Sequence, residues 1–341
     1  MKLLICCSYY YYGHVRGVEP QFYYLYKVPE TLGYEVDFFD YYMAARIGVE
    51  QMRRLLLAIV KGRQYDAVFI ATHKDELDQA TLGEMGRSCP VIAWNSDDEW
   101  RWEDYSKPRA SWYTFMVTNS PEVYANNRSS FPNLLHAQWA CTGFWDGQAT
   151  PKDIDFSFVG RVYGTRAQQI RWLARRAQLR AYGAGAGTIV LDAQRTQGWR
   201  ARIKRTMQHT VLRYLVPGLA GDLSTISFEQ VNQLWNRSKI SFTPLDSSQG
   251  GVRQIKSRVF DMGLSGTLML AQRAPYLDSY YEPEQEYIPF DTLEECAARA
   301  RFYLQNEAAR RKIAAAYARR TTAEHMWAHR IQAVLRDAGI A

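Results

Sequence analysis

Residues 253–271 read Arg-Gln-Ile-Lys-Ser-Arg-Val-Phe-Asp-Met-Gly-Leu-Ser-Gly-Thr-Leu-Met-Leu-Ala. The pattern predicts a short helix over Lys256–Met262, followed by an apolar strand over Leu268–Ala271. Basic side chains on and before this helix accompany a single carboxylate, Asp261. Cations bind phosphate oxygens, and a carboxylate accepts hydrogen bonds from hydroxyl groups. The stretch therefore predicts an anion clamp beside a hydroxyl-binding acid, at the opening of an α/β sheet. The basic residues are Arg253, Lys256 and Arg258.

Short apolar segments alternate with amphipathic helical segments along the rest of the chain. The strands predicted in the front half are Leu3–Cys7, Glu35–Phe39, Ala67–Ala71, Val91–Trp94, Thr114–Thr118 and Leu134–His136. Those predicted after residue 150 are Phe156–Val159, Leu179–Tyr182, Ile240–Thr243 and Leu268–Ala271. Such alternation is typical of parallel, doubly wound sheets. Cys141–Asp153, with two glycines and a proline, is the predicted linker between two α/β domains.

Composition limits the class of protein. A chain of 341 residues suits two domains, and 47% hydrophobic residues exclude a disordered chain. No apolar run is long enough to predict a membrane span. Five cysteines without a Cys-x-x-Cys pair favour the reducing cytoplasm. Residues 1–150 hold 14 Lys and Arg against 18 acids, and the remainder holds 28 against 17, which predicts domains with different roles.

The order of several short motifs resembles the CgeB-like, spore-protein-type glycosyltransferases. The shared order is a basic residue, Arg, Phe, an acid and Gly before a strand, then an acidic helix start and a terminal Glu-His with Arg. The matching residues are Lys256, Arg258, Phe260, Asp261, Gly266, Asp291, Glu294, Glu295, Glu324, His325 and Arg330. The resemblance covers most of the chain and is closest in its C-terminal third.

This resemblance implies the GT-B fold, with two Rossmann-like domains facing across a cleft and C-terminal helices crossing back. The implied domains are an acceptor domain over 1–145 and a nucleotide-sugar donor domain over 153–322. A terminal helix over 323–341 would pack back toward the first domain. The implied activity is metal-independent sugar transfer from a nucleotide diphosphate sugar to a hydroxyl acceptor, with the donor as substrate and no tightly bound cofactor. The acceptor would be a glycan, a lipid-linked saccharide or a modified DNA base.

The resemblance also assigns donor-binding residues. Arg161, in a Gly-Arg turn after a strand, would bind the diphosphate together with Lys256 and Arg258. Asp261 would bind the ribose, and the backbone of Gly17 would approach the phosphate. For Arg161 the alternative is an ordinary surface residue.

Two segments offer a general base. The glycine-containing turn Gly13–Glu19 leads into a helix N-terminus, where free backbone N–H groups bind anions. It holds His14 and Glu19, and the alternative is an ordinary turn in which Glu19 complements the helix dipole. Asn95–Glu99 places three acids after a predicted strand, and Asp98 is the preferred base there. A helix N-cap and a hard-cation site are the alternatives for this acid cluster.

Several alternatives remain open in the sequence. Many retaining enzymes of the resembled fold carry two glutamates eight residues apart; Asp261 fits the second position, but Arg253 occupies the first. Retention and inversion are therefore both open, as are hexosyl and pentosyl transfer. A sugar-nucleotide epimerase of the same fold and a non-catalytic sugar-nucleotide-binding or structural protein are the alternative functions.

A basic segment predicts further partners. Residues 161–213 hold 12 Lys and Arg and one acid, and apolar residues recur there every four positions from Trp199 to Val211. A basic amphipathic helix suits an anionic membrane surface or a DNA backbone, and a plain surface helix is the alternative. The chain is therefore expected in the cytoplasm or peripheral at the inner membrane surface. No obligate protein partner is expected.

Overall fold

The computed structural model describes residues 1–10, 17–74, 76–145, 150–162, 164–183, 226–249 and 251–341. The chain divides into two compact units. Unit 1 comprises Met1–Thr142 and Glu324–Ala341, and unit 2 comprises Gly143–Ala323. The amphipathic helix predicted around Trp199–Val211 and the candidate base His14 lie outside the described residues.

Unit 1 is built on a parallel sheet. Its strands are β1 (Lys2–Cys7), β2 (Glu35–Asp40), β3 (Ala67–Ala71), β4 (Val91–Trp94), β5 (Phe115–Thr118) and β6 (Leu134–His136). They lie in the order β2-β1-β3-β4-β5-β6, and each neighbouring pair is parallel. All residues of β3 and β4 are buried, so these strands are apolar throughout rather than alternating.

Helices connect these strands. They are α1 (Val28–Thr31), α2 (Tyr41–Ala44), α3 (Val49–Gly62), α4 (Gln79–Gly86), α5 (Asp98–Arg101), α6 (Lys107–Arg109), α7 (Pro121–Asn127) and, from the C-terminus, α13 (Trp327–Asp337). Phe22–Lys27 and Trp102–Ser106 are π-helical, and Ala45–Ile47 and Ala110–Trp112 form 3₁₀ turns. The side chain of Asp78 accepts a hydrogen bond from Thr81 N, so α4 begins directly after Asp78.

Unit 2 contains a second parallel sheet. Its strands are β7 (Ile154–Val159), β8 (Arg180–Tyr182), β9 (Ser238–Thr243), β10 (Leu268–Gln272) and β11 (Ile288–Phe290), in the order β11-β10-β9-β7-β8. Its helices are α8 (Gly164–Ala177), α9 (Phe228–Arg237), α10 (Arg258–Asp261), α11 (Leu293–Gln305) and α12 (Glu307–Glu324), with a 3₁₀ turn at Leu277–Ser279. The prediction of two parallel-sheet α/β domains is thus confirmed.

The C-terminal helices divide between the two units. Cys296 and Ile313 place α11 and α12 in the hydrophobic core of unit 2. The following segment pairs with Cys141 of unit 1: Cys141 N donates to His325 O at 2.8 Å, and Trp327 N donates to Cys141 O at 2.9 Å. Trp327 is 1% exposed and stacks on Tyr24, with ring centroids 4.5 Å apart. Buried aromatic packing therefore fixes α13 to unit 1.

None of the helices in the described residues has both the length and the apolar character needed to cross a bilayer.

A close backbone approach in unit 2 gives a stability prediction. A Cβ atom at Gly263 would lie 2.8 Å from Cβ of Thr321 on α12 and nearer still to its hydroxyl. Thr321 is fully buried and hydrogen bonds with Tyr281 and Tyr317, so it cannot move aside easily. Gly263→Ala is expected to lower the free energy of unfolding by about 1–3 kcal/mol, measured by urea denaturation.

Gly83 in α4 provides the matched control for this substitution. It is exposed, and no atom lies within 4 Å of an added Cβ. Gly83→Ala is expected to raise the free energy of unfolding by about 0.5–1 kcal/mol, because alanine restricts the unfolded chain. A neutral or stabilising Gly263→Ala would contradict the packing of α12 described here.

Candidate active site

Two glycines shape the carboxyl edge of the unit 2 sheet. Gly160 follows β7 with φ 144°, and Gly183 follows β8 with φ 114°. A Cβ atom at Gly183 would lie 2.6 Å from the carbonyl oxygen of Gly160, and Gly160 N donates to Tyr182 O at 2.9 Å. Glycine tolerates both the backbone angles and the approach, so these residues form a tight, side-chain-free edge.

A cation from α10 lies against this edge. The Arg258 guanidinium lies over the Phe158 ring at 5.2 Å, and Nη1 donates to Val159 O at 3.4 Å. A Cβ atom at Gly160 would lie 3.0 Å from Arg258 Nη2. Arg161, the next residue, is exposed. The fold therefore brings Arg258 to the Gly160–Arg161 turn, although the two are far apart in sequence.

The remaining donor-site candidates, Lys256 and Asp261, lie on either side of Arg258 along the chain. Asp261 is the last residue of α10 and is only 3% exposed. Lys256 precedes α10, is partly buried, and accepts at its carbonyl a hydrogen bond from Val259 N. Arg253 is directed elsewhere, because its Nη1 donates to Arg273 O and its Nε lies 3.8 Å from a carboxylate oxygen of Asp246.

In unit 1, Glu19 lies close to the carboxyl end of β1. Its backbone N donates to Tyr9 O at 2.8 Å, and a bridge between Tyr10 and Val18 holds the segment. The side chain is 5% exposed, and its Oε2 has no hydrogen-bond partner among the described residues. Burial raises the pKa of Glu19 to about 8. A buried carboxyl group with a pKa near neutrality has the properties of a general base. Gly17 is buried just before it.

Asp98 is held differently. It is 1% exposed at the start of α5, and Ser106 Oγ donates to its Oδ1 at 2.5 Å. Burial raises the pKa of Asp98 to about 6, against the opposing effect of hydrogen bonds from Ser106 and Thr118. Asp97 occupies the N-cap position but makes no side-chain capping bond. Through these hydrogen bonds, the buried side chain of Asp98 connects the π-helical turn Trp102–Ser106 with the end of β5 at Thr118.

Two polar residues at the carboxyl edge of the unit 1 sheet were not predicted from the sequence. Ser8 follows β1 and Asn119 follows β5, and they are 1% and 0% exposed. The Ser8 hydroxyl and both side-chain amide atoms of Asn119 lack partners among the described residues. A buried polar group without a partner costs about 1–3 kcal/mol, and such groups mark places where a water or ligand binds. The signal in the sequence is only a polar residue after an apolar strand, which is too common to identify a site.

Within the described ranges, no three His, Cys, Asp or Glu side chains are grouped so as to hold a metal ion.

The terminal Glu-His…Arg motif joins chain segments in unit 1. Arg330 Nε donates to Gln138 O at 3.1 Å, Nη1 donates to Glu324 O at 2.9 Å, and Nη2 lies 3.0 Å from His325 Nδ1. These contacts connect α13 with the segments after β6 and after α12. The motif therefore has a structural role in positioning the C-terminal helix.

Arg330→Lys is expected to lower the free energy of unfolding by about 1.5–3 kcal/mol, because an ammonium cannot reach the acceptors that the planar guanidinium spans. Urea denaturation measures this effect. Arg336→Lys is the control on the same helix; with its side chain 69% exposed, it should change stability by less than about 0.5 kcal/mol. Equal effects of the two substitutions would contradict the structural role of Arg330.

Comparison of the sequence with known protein families gives a match. The model of the glycosyl transferase-like family matches residues 166–336, about half of the chain, including Lys256, Arg258 and Asp261. No curated protein matches the sequence significantly.

Solved structures share the fold over nearly the whole chain. HepE of Anabaena, in complex with UDP-glucose, is 10% identical with a TM-score of 0.60, and 100% of each chain is covered. A glycosyltransferase from Rickettsia africae is 8% identical with a TM-score of 0.62, covering 99% of this chain and 98% of that one. An α-glucosyltransferase bound to UDP-glucose and DNA containing an abasic site is 9% identical with a TM-score of 0.61, covering 99% of both chains.

At such low identity these structures establish the fold alone, and they confirm the predicted GT-B-like class. The function rests on the family match, which confirms the prediction of a glycosyltransferase and gives no support to the epimerase alternative. The chain belongs to the glycosyl transferase-like family.

Proposed function

We propose that the protein transfers a sugar from a uridine diphosphate sugar to a hydroxyl acceptor. The observation that carries the proposal is the Arg258 guanidinium against the Gly160–Arg161 turn, at the carboxyl edge of the unit 2 sheet. Parallel sheets bind nucleotides at this edge. The proposed base, uracil, follows from HepE and the α-glucosyltransferase, whose structures contain UDP-glucose.

The chemistry of the leaving group explains the cations. Negative charge grows on the diphosphate as the bond to the sugar breaks, so fixed positive groups stabilise the transition state. We assign this role to Arg161, Lys256 and Arg258. Asp261 would accept hydrogen bonds from the ribose hydroxyls, and the backbone at Gly17 would approach the phosphate.

Glu19 is the proposed general base for the acceptor hydroxyl. Glu19 Oε2 and Asp98 Oδ2 both lack a partner among the described residues, but only for Asp98 do side-chain hydrogen bonds, from Ser106 and Thr118, act to lower the pKa. The higher pKa of Glu19, about 8, favours it as the base. In the described part of the chain Glu19 Oε2 has no hydrogen-bond partner, and a buried carboxyl oxygen of this kind costs stability, which favours an enzyme over a purely structural protein. His14, in the same turn, is the other candidate.

We also assign the protein to the CgeB-like group, because its motifs from Lys256 to Arg330 follow the order found in that group. The acceptor classes proposed with it are a glycan, a lipid-linked saccharide and a modified DNA base. The α-glucosyltransferase solved with DNA supports the last of these.

A thermal-shift screen tests the donor class. Binding to the folded state alone stabilises a protein by about 2.7 kcal/mol at a ligand concentration of a hundred dissociation constants. We expect UDP and at least one UDP-hexose or UDP-pentose to raise the melting temperature, with smaller effects from ADP and GDP. A flat response to every nucleoside diphosphate would contradict the proposal.

A further inference from the structure

Exposed aliphatic side chains cluster on one part of unit 1. They lie on α2, the 3₁₀ turn after it, and α3. Of eight exposed large hydrophobic residues in the described chain, four fall within the 13 positions from Met43 to Leu55. They are Met43 (39% exposed), Ile47 (66%), Val49 (40%) and Leu55 (45%). Single exposed hydrophobics are normal on a protein surface, but a cluster indicates a binding surface.

The packing of α3 does not account for this cluster. The helix buries Met52, Leu56 and Val60 in the core of unit 1. A different set of positions on α3 is exposed, at the spacing of one side of a helix: Gln51, Arg54, Leu55 and Ala58. Ile47 precedes the helix in the 3₁₀ turn, and Val49 is the first residue of the helix. The helix therefore has one apolar face for the core and a second, partly apolar ridge facing outward.

The segment that carries this surface has more cations than acids. Residues 41–64 contain five Lys and Arg and a single acid, Glu50. Arg53, Lys61 and Arg63 form ion pairs with carboxylates of unit 1. Among the described residues, neither Arg46 nor Arg54 forms an ion pair. In the described part of the chain, two exposed cations without an ion-pair partner thus stand next in sequence to the exposed apolar residues Ile47 and Leu55.

We propose that this surface, which we call the α3 surface (Met43, Arg46, Ile47, Val49, Arg54 and Leu55), docks on an anionic lipid bilayer. Aliphatic side chains enter the boundary between headgroups and acyl chains, while arginines bind lipid phosphates. In an apolar protein groove, Arg46 and Arg54 would have no anion to neutralise them. The surface of an anionic bilayer offers lipid phosphates to the arginines and acyl chains to the aliphatic side chains. The proposal is independent of the proposed function, because it uses no donor-site or base residue.

Vesicle sedimentation tests the proposal with the full chain. We expect the protein to sediment with vesicles of phosphatidylcholine containing about 30 mol% phosphatidylglycerol, and much less with phosphatidylcholine alone. Ile47→Gln combined with Leu55→Gln should weaken binding at least about tenfold. Arg46→Gln combined with Arg54→Gln should weaken it about 25-fold, at about fivefold for each arginine.

Phe302→Gln is the matched control, because Phe302 is 53% exposed in unit 2. It should leave vesicle binding unchanged. All substituted side chains are exposed, so thermal melting should confirm that each variant folds.

Three results would overturn the proposal. The wild-type protein could fail to bind anionic vesicles, or the Ile47→Gln, Leu55→Gln variant could bind them as well as wild type does. The third result is a wild-type dimer, detected by light scattering, that dissociates in the Ile47→Gln, Leu55→Gln variant. The α3 surface would then bind a second copy of the chain and not a bilayer.

Discussion

Replacing Glu19 with Gln is expected to lower the rate of sugar transfer by about two to four orders of magnitude. The amide keeps the shape of the side chain but cannot accept a proton from the acceptor hydroxyl. Donor binding should be nearly unchanged, because the proposed donor-binding residues, Gly17 apart, belong to unit 2. Initial rates at saturating donor concentration measure the effect.

The same substitution should stabilise the protein at alkaline pH. Burial raises the pKa of Glu19 from 4.5 to about 8, so the folded state binds more protons than the unfolded state between these values. Stability contributed by this group is therefore present below pH 4.5 and is lost as the pH rises through 8. Urea denaturation at pH 5 and pH 9 should show the wild type losing on the order of a few kcal/mol relative to Glu19→Gln. A parallel pH dependence of the two proteins would contradict the burial of Glu19 and the raised pKa of its carboxyl group.

Asp98→Asn is the control that separates the two candidate acids. Because Asp98 Oδ1 accepts a hydrogen bond from Ser106, we expect a smaller loss of turnover than in Glu19→Gln. Collapse of transfer in Asp98→Asn with near-normal transfer in Glu19→Gln would assign the base to Asp98 instead.

The donor clamp gives the second large effect. Arg161→Ala and Lys256→Ala each remove a cation that we propose binds the diphosphate, and charge-assisted hydrogen bonds contribute about 1.5–3 kcal/mol. The dissociation constant for UDP, measured by calorimetry, should rise about tenfold or more in each variant.

Arg175→Ala is the matched control for the clamp. Arg175 is an exposed cation in the last turn of α8, so the substitution changes the net charge equally. UDP affinity in this variant should stay within about twofold of wild type. A similar loss of affinity in all three variants would point to a general charge effect and not to a clamp.

The sheets were largely predictable from the sequence. The predicted bounds of Ala67–Ala71, Val91–Trp94 and Leu134–His136 agree with β3, β4 and β6. Buried parallel strands have both faces covered, so they appear in the sequence as continuous apolar runs with clear ends. The short strand β11 was not predicted, because three residues including Pro289 carry little periodic signal.

The candidate site was predictable only in part. Motif order predicts Arg161 and Arg258 as donor-binding residues, and the fold brings Arg258 to the turn that contains Arg161. The burial of Glu19 and Asp98 depends on packing by elements distant in sequence, so no local pattern distinguishes these acids from exposed ones. Ser8 and Asn119 were missed for the same reason: their lack of hydrogen-bond partners is a property of the folded chain.

The central claim is that this chain breaks the bond between a sugar and a uridine diphosphate. The most direct measurement incubates the protein with a panel of UDP-hexoses and UDP-pentoses and follows the release of UDP, with water receiving the sugar in place of the acceptor hydroxyl. We predict release from at least one donor, reduced at least tenfold in Lys256→Ala at subsaturating donor. No release from any donor, together with no calorimetric binding of UDP, would contradict the account.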